Sequence, residues 1–226
     1  MASGGNLVRR AGGPGVHAQK GAIEQPCTAP PEGSIVVCLD EMGPVASKSY
    51  PGQRLVRPAA PSTERARQEI DCGRRGKGYV FGAFCPATGA AFTATCDGRT
   101  TANWVAFLEQ VKGWIDPATE QVHAVVDNLS THAATDVLLF ALAHPRWEFV
   151  FQPKYAAYLN LIEPWWKVLR SLALKGQRFE TWAEVEHAVQ RATAYWNTHR
   201  HPFVWGRRRS TPRRPGIATA PNVAII

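Results

Sequence analysis

The run Ile35–Leu39, IVVCL, is continuously apolar and is followed at once by the acids Asp40 and Glu41. A short apolar run without polar alternation is typical of a strand that is covered on both faces of a sheet. A second run, Val122–Val126 (VHAVV), has the same character and ends at Asp127. Functional side chains of open α/β sheets collect at the carboxyl ends of central strands. If the two strands are parallel neighbours, Asp40 and Asp127 lie side by side.

The elements on either side of these runs predict a mixed sheet. Two apolar runs, Gly78–Cys85 and Ala90–Cys96, flank the turn Pro86–Gly89 and indicate a hairpin. Residues near 54–57 indicate a further short strand. Helical spacing and capping residues predict the remaining elements, which are a helix from Thr100 or Thr101 to Ile115, a helix over Ala133–Ala143, a strand over Trp147–Phe151, and helices over Leu159–Leu174 and Thr181–Thr198. This order favours an α/β fold.

Composition excludes several classes of protein. The 226 residues are 45% hydrophobic and 19% charged, which argues against a disordered or low-complexity chain. The longest apolar run, about Val137–Ala143, is far shorter than the roughly 18 residues of a membrane span. No secretory signal is visible at the start. The five cysteines form no C-x-x-C motif, which favours a reduced, cytosolic chain over a zinc site.

The positive charge is concentrated towards the end of the chain. The net charge is +8, and residues 199–226 contain arginines but no acid. We expect an extended leader over residues 1–33, a folded domain over 34–200 and a basic tail over 201–226. Such a tail suits a polyanion such as nucleic acid, although a solvated tail is the alternative. The predicted DNA-binding residues are Arg74, Arg75, Lys77, Arg207, Arg208, Arg209, Arg213 and Arg214.

Glu163 is a third candidate acid, in a segment that is otherwise aromatic, apolar and basic. An ordinary ion pair with Lys167 is one interpretation. Pro164 restricts Glu163 to the start of its helix or just before it. Together with Asp40 and Asp127, this acid could hold one or two Mg²⁺ ions, which prefer oxygen ligands.

Three blocks of the sequence resemble the signature motifs of DDE transposases. They are CLDEMGP at 38–44, VVDNLSTH at 125–132 and YAAYLNLIEPWW at 155–166. The resemblance is to bacterial insertion-sequence enzymes related to the mariner superfamily. Flanking segments at 69–89 and 195–206 agree, so that the likeness covers roughly residues 18–210.

The resemblance implies an RNase H-like fold, a five-stranded mixed sheet flanked by helices. It implies that Asp40, Asp127 and Glu163 are the catalytic metal ligands for Mg²⁺, with Mn²⁺ able to substitute. Four residues match motif positions beside this triad, where they position the ligands or phosphate or have a purely structural role: Glu41, Asn128, His132 and Asn160.

The activity implied is that of a DDE-type endonuclease and DNA strand transferase, which cuts double-stranded DNA at transposon ends and joins it to target DNA. Family members usually begin with helix-turn-helix modules, and no recognition helix is visible before Ile35. We therefore expect a truncated copy, a frameshift product or half of a split gene. It would act in the bacterial cytoplasm, at the nucleoid, as a homodimer or with a full-length transposase. The alternative is a catalytically impaired remnant that serves as a DNA-binding or transposase-binding module.

Overall fold

The strands of the protein form one mixed sheet with helices on both faces. The structure is a computed structural model that describes residues 8–9, 30–52, 71, 75–127, 134–152 and 160–203. Its strands are β1 (Val8–Arg9), β2 (Ser34–Ala46), β3 (Lys77–Cys85), β4 (Ala90–Cys96), β5 (Gln121–Val126) and β6 (Trp147–Phe151). Its helices are α1 (Thr101–Trp114), α2 (Thr135–Ala143), α3 (Ile162–Ala173) and α4 (Trp182–His199). The short strand predicted near 54–57 lies outside the described residues.

The order of strands across the sheet is β1-β6-β5-β2-β3-β4. The pairs β1–β6, β6–β5 and β5–β2 are parallel, whereas β2–β3 and β3–β4 are antiparallel. The five long strands are those that the sequence predicts. The two-residue β1 lies within the predicted leader and pairs with Phe149 and Val150. Such a short edge strand is held through its backbone and leaves no periodic pattern in the sequence.

Strand β2 is longer than its apolar run predicts, because its two neighbours pair with different parts of it. The pairing with β5 runs from Ser34 to Cys38, whereas the pairing with β3 runs from Cys38 to Ala46. The β3 pairing shifts register between Met42 and Val45, as at a β-bulge. The prediction that the strand ends at Asp40 is therefore wrong. Asp40 lies where pairing with β5 has stopped and pairing with β3 continues.

Alternation along β2 assigns its side chains to two cores. Val36, Cys38 and Met42 pack on the side of α3 and α4. Val37 and Leu39 pack on the opposite side, against α1 and α2. Because side chains alternate along a strand, Asp40 belongs to the α3–α4 side and Glu41 to the α1–α2 side.

Side-chain caps set the starts of α1 and α4. Thr100 Oγ1 accepts a hydrogen bond from the N–H of Asn103 at 3.2 Å, and Thr181 Oγ1 accepts one from that of Glu184 at 3.3 Å. The Glu184 carboxylate reaches back to the N–H of Glu180, at 2.8 Å. The predicted capping box at Thr181 therefore forms in its first half, with the return bond displaced by one residue.

The chain after α4 docks on the β3–β4 hairpin. The N–H of Phe203 donates to the carbonyl of Pro86 at 2.9 Å, and the Phe203 ring packs 4.8 Å from that of Phe84. Gly89 has φ +72, and a Cβ there would lie 2.1 Å from the carbonyl oxygen of His201. Only glycine lets this segment approach the turn so closely. Within the described ranges, no helix is both long and apolar enough to cross a membrane.

Candidate active site

Asp40 and Asp127 lie at the same edge of the sheet. The last parallel pair between β2 and β5 joins Cys38 to Val125. Asp40 follows two residues later in β2, and Asp127 is the residue directly after β5. The negative charge of Asp127 contributes to raising the pKa of Asp40, which reflects their proximity. The structure thus brings together two of the three predicted metal ligands.

The Asp40 carboxyl group is largely buried, and burial is the main reason that its pKa is raised to about 7. Two hydrogen bonds act in the opposite direction. Oδ1 accepts from the backbone N–H of Glu41 at 2.8 Å, and Oδ2 accepts from the indole Nε1–H of Trp166 at 3.1 Å. The charges of Glu41 and Asp127 then raise the pKa further. Each carboxyl oxygen is thereby oriented and keeps a lone pair for another ligand.

Gly82 makes room for the indole that binds Asp40. It is the residue of β3 directly opposite Asp40 in the antiparallel register. A Cβ at Gly82 would lie 2.3 Å from the Cη2 atom of Trp166, well inside contact distance. The missing side chain is therefore what allows Trp166 to pack against β3 and reach the acid.

Asn160 ties the start of α3 to β2 beside Asp40. Its side chain is buried, with Nδ2 donating to the carbonyl of Leu39 at 3.1 Å. Its Oδ1 accepts from the N–H of Ile162, the first residue of α3, at 3.4 Å. This supports the structural role that the sequence left open for Asn160.

Glu163 is the second residue of α3, as Pro164 predicts, since proline is tolerated in a first helical turn. The N–H of Glu163 donates to the carbonyl of Asn160 at 3.1 Å, and the residue is exposed. Among the described residues, Glu163 and Lys167 form no salt bridge, so the ordinary ion pair is not formed. Glu163 lies one turn before Trp166 on the helix that contacts Asp40.

The donor set suits a hard divalent cation. In the part of the chain that the structure describes, no three Asp, Glu, His or Cys side chains are grouped closely enough to hold a metal. The structure therefore joins Asp40 to Asp127 but does not bring the Glu163 carboxylate into a three-residue group with them. Two neighbouring carboxylates, one of them desolvated, are nevertheless the arrangement whose repulsion a divalent ion relieves. Carboxylate oxygens are the donors that Mg²⁺ prefers.

The structure separates the side chain of Glu41 from this pair. Its carboxylate pairs with Arg99 at 3.1 Å, and the side chain is only 5% exposed. Glu41 acts on Asp40 through its backbone N–H and its charge. Asn128 and His132 lie outside the described residues.

The two predicted DNA-binding residues that are described, Arg75 and Lys77, lie just before β3 and at its first position. Arg75 pairs with Asp71 and Glu180 and donates to the carbonyl of Phe179 at 3.2 Å. These contacts attach its loop to the start of α4. Lys77 is exposed at the first position of β3. The others lie outside the described residues: Arg74, Arg207, Arg208, Arg209, Arg213 and Arg214.

Sequence reasoning missed Trp166 as the partner of Asp40. The apolar stripe of its helix predicts burial, and Trp166 is indeed buried together with Trp165 and Trp196. A buried indole N–H needs an acceptor. The signal that could have revealed the contact is that Trp166 shares a motif block with Glu163, which the resemblance places at the same metal site as Asp40.

Comparison with known proteins finds similarity to endonucleases and to an insertion-element protein. The profile of the DDE superfamily endonucleases matches residues 35–186. A 39 kDa protein of insertion element IS630 from Shigella sonnei is 24% identical over 103 residues, which cover 46% of this chain and 30% of that protein. The chain thus spans under a third of that relative.

Solved transposase structures share the fold. A paired-end complex of Mos1 transposase with the left transposon end has a TM-score of 0.54 at 16% identity, covering 90% of this chain and 61% of that one. A Mos1 paired-end complex with Mn has a TM-score of 0.51 at 14% identity, covering 88% and 64%. The likeness identifies the sheet and its helices as an RNase H-like fold, as the sequence predicts. Because the matched profile spans well over half of the residues, and Asp40, Asp127 and Glu163 all fall within it, this chain belongs to the DDE superfamily endonucleases.

Proposed function

We propose that the chain is the catalytic part of a transposase that cleaves DNA at transposon ends and joins the freed 3′-hydroxyls to target DNA. The observation that carries this proposal is that Asp40 and Asp127 lie together where the parallel pairing of β2 with β5 stops. The similar structures are of Mos1 with transposon-end DNA, with Mn or Mg, and in a strand transfer complex. They support DNA as substrate and a divalent ion as cofactor.

Asp40 and Asp127 would hold Mg²⁺ or Mn²⁺, with Glu163 as the third ligand from the first turn of α3. When bound, the metal would activate a water or a 3′-hydroxyl and stabilise the leaving oxygen. The chain's own contribution is orientation. Trp166 and the N–H of Glu41 each fix one oxygen of Asp40, and Asn160 fixes the start of the helix that carries Glu163.

The partners of the chain follow from this activity. Double-stranded DNA would meet Lys77 and the arginines of the tail. The similar Mos1 structure is a paired-end complex with transposon-end DNA, which favours a homodimer or assembly with a full-length transposase. Asn128 and His132 would position ligands or phosphate. The chain would act in the bacterial cytoplasm, at the nucleoid.

Nicking of supercoiled plasmid DNA tests the proposal. We expect the full chain to nick DNA with Mg²⁺ or Mn²⁺ but not with EDTA, and Asp40→Asn to remove this activity. Asp136→Asn is the matched control, since Asp136 is an exposed acid at the start of α2, and it should nick as the wild type does. Undiminished nicking by Asp40→Asn would overturn the assignment.

A second arm separates the enzyme from the remnant that only binds. The chain is supplied with a helix-turn-helix module fused before residue 1 and with DNA that carries its recognition site. Metal-dependent cutting supports the enzyme. Binding without any cutting would contradict it and favour the binding module.

A further inference from the structure

A cavity of about 380 Å³ opens beside the candidate active site. One wall is Gly43–Ala46 of β2, where the register with β3 shifts. The opposite wall is the end of α3, with Arg170 and the following Lys175, and Lys48 and Tyr50 also line it. The volume is in the range of pockets that take small ligands, and it would admit a nucleotide.

The lining is cationic. Lys48, Arg170 and Lys175 all border the cavity, and none of the described residues that line it is acidic. None of the three forms a salt bridge with a described carboxylate. The nearby acid Asp71 is occupied, since it pairs with Arg75 and accepts from the N–H of Ser49 at 2.7 Å. The pocket therefore carries positive charge without a protein counter-ion among these residues.

Two of the side chains are held in place by their neighbours. Arg170 Nε donates to the Sδ atom of Met42 at 3.1 Å, so the guanidinium lies against β2 while the residue stays exposed. Tyr50 donates its hydroxyl to the carbonyl of Ala46 at 2.7 Å, and Lys48 Nζ lies 5.4 Å from the centre of its ring. A cation fixed in advance loses less entropy when an anion binds.

Both walls of the pocket belong to elements that also carry the candidate active site. Arg170 lies one helical turn after Trp166, whose indole binds Asp40. On the other wall, Gly43 follows Asp40 by three residues of β2, about 10 Å at the usual rise per residue. A DNA strand would cover this distance in about three nucleotides, at roughly 3.4 Å per base step of B-DNA.

We propose that this pocket binds backbone phosphates of the DNA strand that leaves the active site, with Arg170, Lys175 and Lys48 as the side chains that bind phosphate. That the bound phosphates belong to a DNA strand held at the active site rests on the proposed function. The pocket's own binding can be measured without any cleavage.

The test is the salt dependence of binding of the full chain to a short labelled duplex in EDTA. We compare Arg170→Gln/Lys175→Gln with the control Arg191→Gln/Arg200→Gln, which removes the same charge at exposed positions of α4 and its end. The pocket variant should reduce the slope of log affinity against log salt by about 2, at roughly 0.9 for each phosphate that the protein no longer neutralises. The control should keep the wild-type slope.

Equal changes of the salt slope in the pocket variant and the control, or an unchanged slope in both, would overturn the inference. Lys48→Gln/Lys175→Gln repeats the test if the first variant does not fold, as judged by thermal unfolding. The two proposals can fail separately. If the chain nicks DNA but the pocket variants keep the wild-type salt slope, only the pocket proposal is contradicted. If the pocket variants reduce the salt slope but the chain shows no metal-dependent nicking, only the catalytic proposal is contradicted.

Discussion

The most unusual single residue is Asp40, an acid whose burial gives it a pKa of about 7. In the unfolded chain its pKa returns to about 3.8. Between these values the folded state binds more protons than the unfolded state, so stability falls as pH rises. In EDTA we expect the free energy of unfolding to drop by about 4 kcal/mol between pH 4 and pH 7.5 from this group.

Urea denaturation at a series of pH values measures this change. Asp40→Asn should remove this part of the pH dependence and be more stable than the wild type at pH 7.5, because asparagine stays neutral. An identical pH profile in wild type and variant would contradict the role of burial at Asp40.

Trp166 is the second residue-scale feature, because it orients Asp40 through one hydrogen bond. Trp166→Phe keeps most of the ring and removes the donor. We expect Mn²⁺ affinity, measured by titration calorimetry, to fall about 10-fold, as for other groups that orient a metal ligand.

Trp196→Phe is the matched control for this change. Trp196 is also buried and donates its indole N–H, in its case to the carbonyl of Gly89 at 2.7 Å. Both variants should lose about 1 kcal/mol of stability. Only Trp166→Phe should weaken ion binding, and equal Mn²⁺ affinity in the two variants would argue against the positioning role.

At the scale of elements, the close approach of α3 to β3 depends on Gly82. Gly82→Ala should destabilise the protein by about 1–3 kcal/mol, since the added methyl group collides with a buried indole. Gly113→Ala is the control, because a Cβ there meets nothing within 4 Å. In the last turn of α1, Gly113→Ala should stabilise the protein by up to about 1 kcal/mol.

Chemical denaturation of the two variants reads out this difference. We expect the free energy of unfolding to fall in Gly82→Ala and to rise in Gly113→Ala, and the rate of nicking to fall in Gly82→Ala alone. If Gly82→Ala is as stable as the wild type, the indole does not rest on β3 as described.

The elements also show what the sequence can and cannot predict. Apolar runs locate the five long strands and helical spacing locates the four helices, with caps at the starts of α1 and α4, because burial and capping leave local patterns. The extension of β2 beyond Leu39 leaves no such pattern, since DEMGPVA has no apolar run and its strand conformation depends on pairing with β3. The contact of Trp166 with Asp40 spans 126 positions and depends on a glycine in a third element.

At the scale of the whole molecule, charge is distributed unevenly. Five arginines of the predicted DNA-binding set lie at or after residue 207, beyond the docking contact of Phe203. A chain ending at residue 206 should fold normally and lose most non-specific affinity for DNA. Its salt slope should be smaller by up to about 4.5, at roughly 0.9 for each phosphate that an arginine neutralises.

Binding to a duplex without transposon ends measures this loss, and circular dichroism checks the fold. An unchanged salt slope in the shortened chain would show that the tail arginines do not contact phosphate. The order of motifs predicts the fold. The contribution of the tail arginines to affinity depends on the DNA, and the sequence alone does not give it.

The hydrogen bond between the Trp166 indole and Asp40 has a consequence for fluorescence spectroscopy. The emission of tryptophan shifts with the electric field around its ring, and Asp40 changes that field whenever it gains a proton or an ion. The chain has eight tryptophans, so the difference spectrum between wild type and Trp166→Phe isolates the one of interest. The intrinsic fluorescence of Trp166 should therefore report protonation of Asp40 or ion binding to it, with no added dye.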